Sequence, residues 1–206
     1  MSNRDPNAQN SEAKSNSRRL FLAIPLSTDI RGRVAELSGR LQKGAHFTPL
    51  IASWVPPENF HMTLHFLGSV PEDRVAQLEA QLRNLPSSAR ALRLSFCGLG
   101  YFPHPRAPKV LWLGVRQPPK ELEQLVALTG RAITEAGVPL QHDNFHPHIT
   151  LARFKSLKGT AAFVAMARSY EGAEAGTLEV ETLMLMESCL GKGAPEYREV
   201  FPIGLS

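Results

Sequence analysis

Cysteine is nearly absent from this chain of 206 residues, which has Cys97 and Cys189 alone. Two cysteines cannot build a disulfide framework, and no close cysteine pair is available to hold zinc. Both lie in apolar, strand-like runs, so they read as buried thiols of a reducing compartment, here the cytoplasm. Long apolar runs are also missing. Nothing approaches the roughly 20 residues of a membrane-spanning helix, and the first residues lack the hydrophobic centre of a secretory signal. Charge of one sign is scarce: the formal net charge is +4 and the pI about 9.3. That suits an anionic partner without identifying one. The run His61-Met62-Thr63-Leu64-His65 lacks the glutamate of a His-Glu-x-x-His zinc site, and no carboxylate cluster lies near it. What remains is an ordinary globular composition, 43% apolar, long enough for one large domain or two small lobes sharing a core.

Against these absences one pattern stands out, because it occurs twice. Phe145–Phe154 reads FHPHITLARF and Phe60–Gly68 reads FHMTLHFLG. Strand side chains alternate between faces. Strict alternation puts Phe145, Ile149 and Leu151 on one face of the later stretch, with His146, His148 and Thr150 on the other. In the earlier stretch it puts Met62, Leu64 and Phe66 opposite His61, Thr63 and His65. Both contain His-x-Thr-Leu, at His61–Leu64 and His148–Leu151. A single His-x-Thr is weak; two copies in apolar strands are a much stronger signal.

Met1–Ser17 is polar and lacks apolar periodicity, which predicts a disordered tail. Arg18–Leu26 predicts a strand. Ser27 caps a helix with Ile30, Val34, Leu37 and Leu41 on one stripe. His46–Asn59 reads as loop, followed by the first motif strand. Pro71–Asp73 opens a helix bearing Val75, Leu78 and Leu82. Strands are expected at Leu92–Gly98 and Val110–Val115, separated by a proline-rich loop, Tyr101–Lys109. A helix over Lys120–Gly137 is capped by glycine. The loop Pro139–Asn144 leads to the second motif strand. A short helix carries Phe163, Met166 and Tyr170. One long strand is expected at Thr177–Met186, a loop at Glu187–Pro195 and a last strand at Tyr197–Ile203. The order strand, helix, motif strand, helix, strand thus occurs twice, predicting an internal duplication over about 18–100 and 108–203 within one domain, 18–206. Two such units about a pseudo-two-fold would turn both motif faces toward a common cleft.

These segments resemble the 2H phosphoesterases, and within them the RNA 2′,3′-cyclic phosphodiesterases, also called 2′-5′ RNA ligase-like proteins. RLFLAIPL, WVPPENFHMTLHFLG, KVLWLGV and HPHITLARF carry the likeness, which covers Arg18 to about Phe201. It implies a bilobal α+β fold, with two pseudo-symmetric antiparallel-type sheets flanked by helices around a central cleft. It implies His61 as proton donor and His148 as proton acceptor, with Thr63, Thr150 and Arg153 binding the substrate phosphate. Alternation points Arg153 away from His148 unless the strand twists, bulges or ends near Ala152. Relatives often carry Lys or Arg where this chain has His65.

A 2′,3′-cyclic phosphate is opened by a water that loses a proton while a ribose oxygen gains one. These transfers occur on opposite sides of phosphorus, and histidine suits both. Threonine hydroxyls and an arginine would neutralise the anion, so neither metal nor cofactor is expected. The expected partner is RNA with a cyclic phosphate end, or a small nucleotide, bound by a monomer without a membrane. Alternatives are action on 2′-5′-linked oligonucleotides or cyclic nucleotides, a non-catalytic nucleotide- or RNA-binding module, and a metallohydrolase built on His146 and His148 or on His61 and His65. Trp54, Trp112 and Phe66 read as core. His65 and His146 read as exposed neighbours. A chain beginning at Arg18 should retain fold and turnover; loss of either would show that the polar segment does more than solvate.

Overall fold

The computed structural model describes residues 17–140, 145–189 and 196–206. Among these, nine strands form one sheet, flanked by helices. The strands are β1 (Ser17–Pro25), β2 (Ala52–Trp54), β3 (His61–Pro71), β4 (Leu92–Phe102), β5 (Val110–Val115), β6 (His148–Phe154), β7 (Glu174–Val180), β8 (Thr182–Cys189) and β9 (Glu196–Gly204). The helices are α1 (Thr28–Ala45), α2 (Glu72–Arg83), α3 (Lys120–Glu135) and α4 (Thr160–Ala167).

The sheet runs β7-β4-β5-β6-β3-β1-β8-β9, with β2 also paired to β6. Among the described residues every strand pairing is antiparallel. Its two halves meet where β3 faces β6, and there a single residue pair, Met62 with Ile149, makes the junction. One half is β3-β1-β8-β9 and the other β7-β4-β5-β6. The strand pairing therefore cuts across the sequence repeat. β4, which follows the first motif, joins the half of the second, and β8 crosses back to β1. This is the expected bilobal α+β arrangement in one curled antiparallel sheet.

Helix formation follows the apolar stripes. The Ser27 hydroxyl accepts the Ile30 amide at 3.3 Å and starts α1, whose Ile30, Val34, Leu37 and Leu41 are buried. On α3 the buried residues are Leu122, Leu125, Thr129, Gly130, Ala132 and Ile133. Gly137, with φ +75°, turns the chain out of that helix. The helices pack in pairs, α1 with α4 and α2 with α3; α1 also packs on β7, and α2 and α3 on β3. The sheet face behind the junction is buried: Leu20, Leu22, Ile24, Met62, Leu111, Leu113 and Ile149 are all at most 1% exposed.

Five expectations change. Ser17 belongs to β1, opposite Pro71, so the polar segment ends one residue earlier; the rest of it lies outside the described residues. The loop expected over His46–Asn59 contains β2, three residues held against Ala152–Phe154. The strand expected at Thr177–Met186 is two strands, broken at Glu181, because β7 pairs with β4 and β8 with β1 in opposite halves. The proline-rich loop starts later, since Tyr101 and Phe102 extend β4 opposite Leu111 and Val110. The expected loops Pro139–Asn144 and Glu187–Pro195 fall partly outside the described residues, and Glu187–Cys189 are strand.

The junction is all side-chain packing and one backbone bridge, so it is sensitive to truncation. Ile149→Ala should cost about 2–5 kcal/mol, the usual loss for a buried isoleucine, measured by urea unfolding. A loss below about 1 kcal/mol would show that Ile149 is not packed as described.

Candidate active site

Both motif strands carry the same irregularity. In β6, Thr150 pairs with Trp112 and Ala152 with Leu111, so Leu151 has no partner. In β3, Thr63 pairs with Ala23 and His65 with Leu22, so Leu64 has none. Each is a β-bulge at the leucine of His-x-Thr-Leu, and each shifts the alternation by one residue. Both leucines remain buried. Residues beyond the bulge change faces.

Directly paired residues of antiparallel strands share a face. On the cleft face of the second half this places His148 with Gly114, Thr150 with Trp112, and Arg153 with Val110. The bulge thus carries Arg153 to the cleft, five residues past His148, where strict alternation would have hidden it. In the first half the cleft face holds His61 with Pro25, Thr63 with Ala23, and Phe66 with Phe21. The equivalent of Arg153 is therefore Phe66. A second bulge, at Leu67, pairs Gly68 with Leu20 and brings Ser69 opposite Arg19; Gly68 also lines the cleft.

His65 is displaced to the opposite face. Its Nε2 lies 3.1 Å from the Val126 carbonyl oxygen and 3.0 Å from Thr129 Oγ1, tying β3 to α3. It is a partly buried strut, not the exposed cleft neighbour that alternation predicts. Phe66, expected in the core, is instead 54% exposed in the cleft. His146 is exposed, as expected, with its ring 4.7 Å from that of Trp112.

The antiparallel Met62–Ile149 pair sets the motifs against each other. Met62 and Ile149 point into the core, so their neighbours His61, Thr63, His148 and Thr150 all face outward on one side. They line one cavity of about 480 Å³, together with Arg19, Phe66, Phe102, Arg153 and Tyr197 among others. That is within the usual range for small-molecule sites, roughly 300–1,000 Å³. Among the described residues no aspartate or glutamate lines it. Arg153 has no ion-pair partner among the described residues, whereas Arg18, Arg33, Arg40, Arg83, Arg93 and Arg116 all pair with glutamate or aspartate.

The two histidines are held alike. His61 Nδ1 lies 2.7 Å from the Asn59 carbonyl oxygen, and His148 Nδ1 lies 2.7 Å from that of His146. A carbonyl only accepts, so Nδ1 carries the proton in each ring and donates it. That leaves Nε2 as the nitrogen that works. His61 Nε2 lies 3.1 Å from Thr63 Oγ1. Aromatic rings fix both imidazoles: Phe21 and Tyr197 stand 4.9 and 5.2 Å from His61, and Phe102 stands 4.9 Å from His148. Burial lowers both histidine pKa values below the ordinary 6.5, against an opposing effect of the backbone hydrogen bonds; Arg153 lowers both further, and His148 adds to the shift of His61. The free site thus holds neutral imidazoles beside an arginine, prepared for an anion.

Sequence reasoning located His61, His148, Thr63 and Thr150 and named Arg153 from resemblance. It did not find Phe66, Phe21, Tyr197 or Arg19 as cleft residues; Phe102 was readable only as a loop residue able to stack on RNA, and it lines the cleft from the end of β4. A signal for Phe66 was present: Leu64 and Leu67 are both core residues three apart, a spacing that a regular strand cannot put on one face. Among the described residues no group of three or more His, Cys, Asp or Glu is arranged to hold a metal ion, and no helix is long and apolar enough to cross a membrane.

Comparison with known proteins bears on this geometry. The family model of the 2′-5′ RNA ligase superfamily matches residues 26–189. An RNA 2′,3′-cyclic phosphodiesterase of Aeropyrum pernix is 33% identical over 172 residues, which is 84% of this chain and 94% of its own. One of Aquifex aeolicus is 32% identical over 168 residues, 81% of this chain and 88% of its own. The crystal structure of Escherichia coli LigT complexed with 3′-AMP matches with a TM-score of 0.73 at 27% identity, covering 92% of this chain and 99% of that one.

The opposite duties of neighbouring histidines are testable. His65→Ala should lower stability by about 1–3 kcal/mol, the cost of unsatisfied buried groups on α3, while keeping most of the turnover. His146→Ala should change neither. Loss of turnover in a still-folded His65→Ala protein would contradict the face assignment.

Proposed function

This chain belongs to the 2′-5′ RNA ligase superfamily, and from that premise we propose that it hydrolyses RNA 2′,3′-cyclic phosphodiester ends to 2′-phosphomonoesters, without a metal. The observation that carries the reading is the pair of motif histidines. Each is anchored through Nδ1 on a backbone carbonyl, and both line one cavity that has two arginines, Arg19 and Arg153, and, among the described residues, no carboxylate. The relatives named RNA 2′,3′-cyclic phosphodiesterase support the substrate class.

In this reading the cyclic phosphate sits between the two motifs. Its non-bridging oxygens accept from the Thr63 and Thr150 hydroxyls and from the Arg153 guanidinium. His148 Nε2 takes a proton from water, whose oxygen attacks phosphorus opposite O3′. His61 enters this step as the imidazolium, having taken a proton from solvent at Nε2, a form the bound anion favours; the P–O3′ bond breaks as His61 Nε2 gives that proton to O3′. One water is consumed, the phosphate stays on O2′, and solvent exchange returns both imidazoles to their starting states. The roles of His61 and His148 follow the family resemblance; the matched anchoring of the two rings supports a paired task. The working enzyme is proposed to be a cytoplasmic monomer of 22.7 kDa, residues 18–206 forming one duplicated domain. Light scattering at assay concentration checks the monomer.

Substitution of the pair tests the reading. His61→Ala and His148→Ala should each lower kcat by roughly 10²–10⁴-fold, the scale of general acid–base groups. The double variant should be little worse than either, because the two act as a unit. EDTA should leave the rate unchanged. Full activity in either variant, or loss of activity in EDTA, would overturn the mechanism.

The pH dependence has a definite sign. The base must be neutral, so the rate rises with pH through its pKa; the acid must be protonated, so the rate falls through its own. Both values are lowered in the free protein, which puts the kcat/KM maximum on the acid side of about 6.5. A bound anion favours both imidazolium forms. The kcat bell should therefore lie alkaline of the kcat/KM bell. Coincident bells, or one displaced toward acid, would contradict the placement of the phosphate between the histidines. The apparent values belong to the pair.

A further inference from the structure

The bulges make the cleft asymmetric. One wall offers Arg153 at the position where the other offers Phe66, and the cavity does not stop there. It continues along β1 to Arg19 and Ser188. Arg19 pairs with Ser69 across β3, two residues beyond Phe21, so it lies on the same face as Phe21 and Phe66. Leu20 pairs with Glu187 on β8, which brings Ser188 level with Arg19, and Ser188 pairs with Tyr197 on β9. From Ala23, opposite Thr63, to Arg19 is four residues of strand, about 13 Å at ~3.3 Å per residue. The flexible arginine stem spans much of that.

Arg19 has chemistry to spare. Its neighbour Arg18 points to the other side, where it donates to Glu187 at 2.8 Å and lies 3.9 Å from Glu72. Arg19 has no ion-pair partner among the described residues, and the cavity wall around it holds no acid. Glu58 and Glu199 open instead on the small adjoining cavity beneath Tyr197. Phe66, more than half exposed, stands between Arg19 and the histidines, with its ring 6.3 Å from that of Phe21. An exposed aromatic face followed by an unpaired cation, one strand step apart, suits a base and the phosphate next to it.

Resting on the proposed reaction, we propose that Phe66 and Arg19 form a second subsite that takes the 5′ side of the terminal nucleotide: Phe66 stacks on a base and Arg19 binds the phosphate 5′ of the reacting ribose. The protein is then a reader of RNA ends, not of bare nucleoside cyclic phosphates. Stacking on Phe66 would be tolerant of base identity, since every base has a π-face.

The test compares three substrates with the full chain: adenosine 2′,3′-cyclic phosphate, the same compound bearing a 5′-phosphate, and the dinucleotide ApA ending in a cyclic phosphate. A fourth, ApA with an uncharged methylphosphonate linkage, removes only the charge. The wild-type protein should prefer the two phosphate-bearing compounds in kcat/KM, and the methylphosphonate should fall back toward adenosine 2′,3′-cyclic phosphate. Arg19→Ala should lose about tenfold on the phosphate-bearing compounds and nothing on adenosine 2′,3′-cyclic phosphate. Phe66→Ala should lose roughly tenfold where a base stacks, and Phe66→Trp should restore it. A preference for the dinucleotide over the 5′-phosphorylated mononucleotide identifies the phosphate as internucleotide; equality identifies it as any 5′-phosphate. Equal effects of Arg19→Ala on all four compounds, or no effect on any, would overturn the subsite. Titration of the 2′-phosphate form of ApA into wild type and Arg19→Ala reads the same subsite without turnover. Absence of turnover on every substrate would count against the reaction alone, whereas equal affinities in that titration would count against the subsite.

Discussion

Everything in this molecule that concerns chemistry hangs on the pairing of Met62 with Ile149. Among the described residues it is the one strand pair that joins the two halves of the sheet. Because β3 and β6 run antiparallel, the residues on either side of that pair, His61 and Thr63 on one strand, His148 and Thr150 on the other, emerge on the same face. The two buried side chains turn into a core that is sealed by α2, α3 and the strands of both halves. A bridge of one pair lets the strands diverge at once, and the space opened by that divergence is the cleft. A longer ladder would have closed it with backbone hydrogen bonds.

The bulges at Leu64 and Leu151 supply what the bridge cannot. A regular strand carrying His-x-Thr would next present His65 and Ala152 to the cleft. The extra residue rotates them away and substitutes Phe66 and Arg153. His65 thereby becomes a structural tie to α3, and the position that holds Arg153 on one wall holds Phe66 on the other. The two-fold likeness of the motifs gives a matched pair of carbonyl-anchored imidazoles, and the departure from it gives the cleft a direction, with a cation at one position and an aromatic ring at its equivalent.

Much of this was legible in the chain. The apolar stripes of α1, α2 and α3 and the doubled His-x-Thr-Leu identified helices, motif strands and the four central side chains, because those patterns depend on local periodicity. The bulges were not legible as such, since an unpaired residue is defined by the strand opposite. Their trace was indirect: Leu64 and Leu67, or Leu151 and Ala152, are buried at spacings that alternation forbids. The break at Glu181 was hidden for a related reason. β7 and β8 are both good strands, and only their partners, β4 and β1, reveal that they lie in different halves. β2 was too short to show a period, and Arg19 could not be separated from Arg18 before pairing fixed which of them faced the cleft.

The central claim is that His61 and His148 act across phosphorus on a single bound phosphate, with the proton delivered to O3′. The position of the product phosphate measures this most directly. An RNA ending in a 2′,3′-cyclic phosphate, opened in water enriched in oxygen-18 and followed by phosphorus NMR, should give only the 2′-phosphomonoester, with one labelled oxygen on phosphorus. A 3′-phosphate, or a mixture of the two, would mean that the leaving oxygen is not held at His61 and would contradict the account.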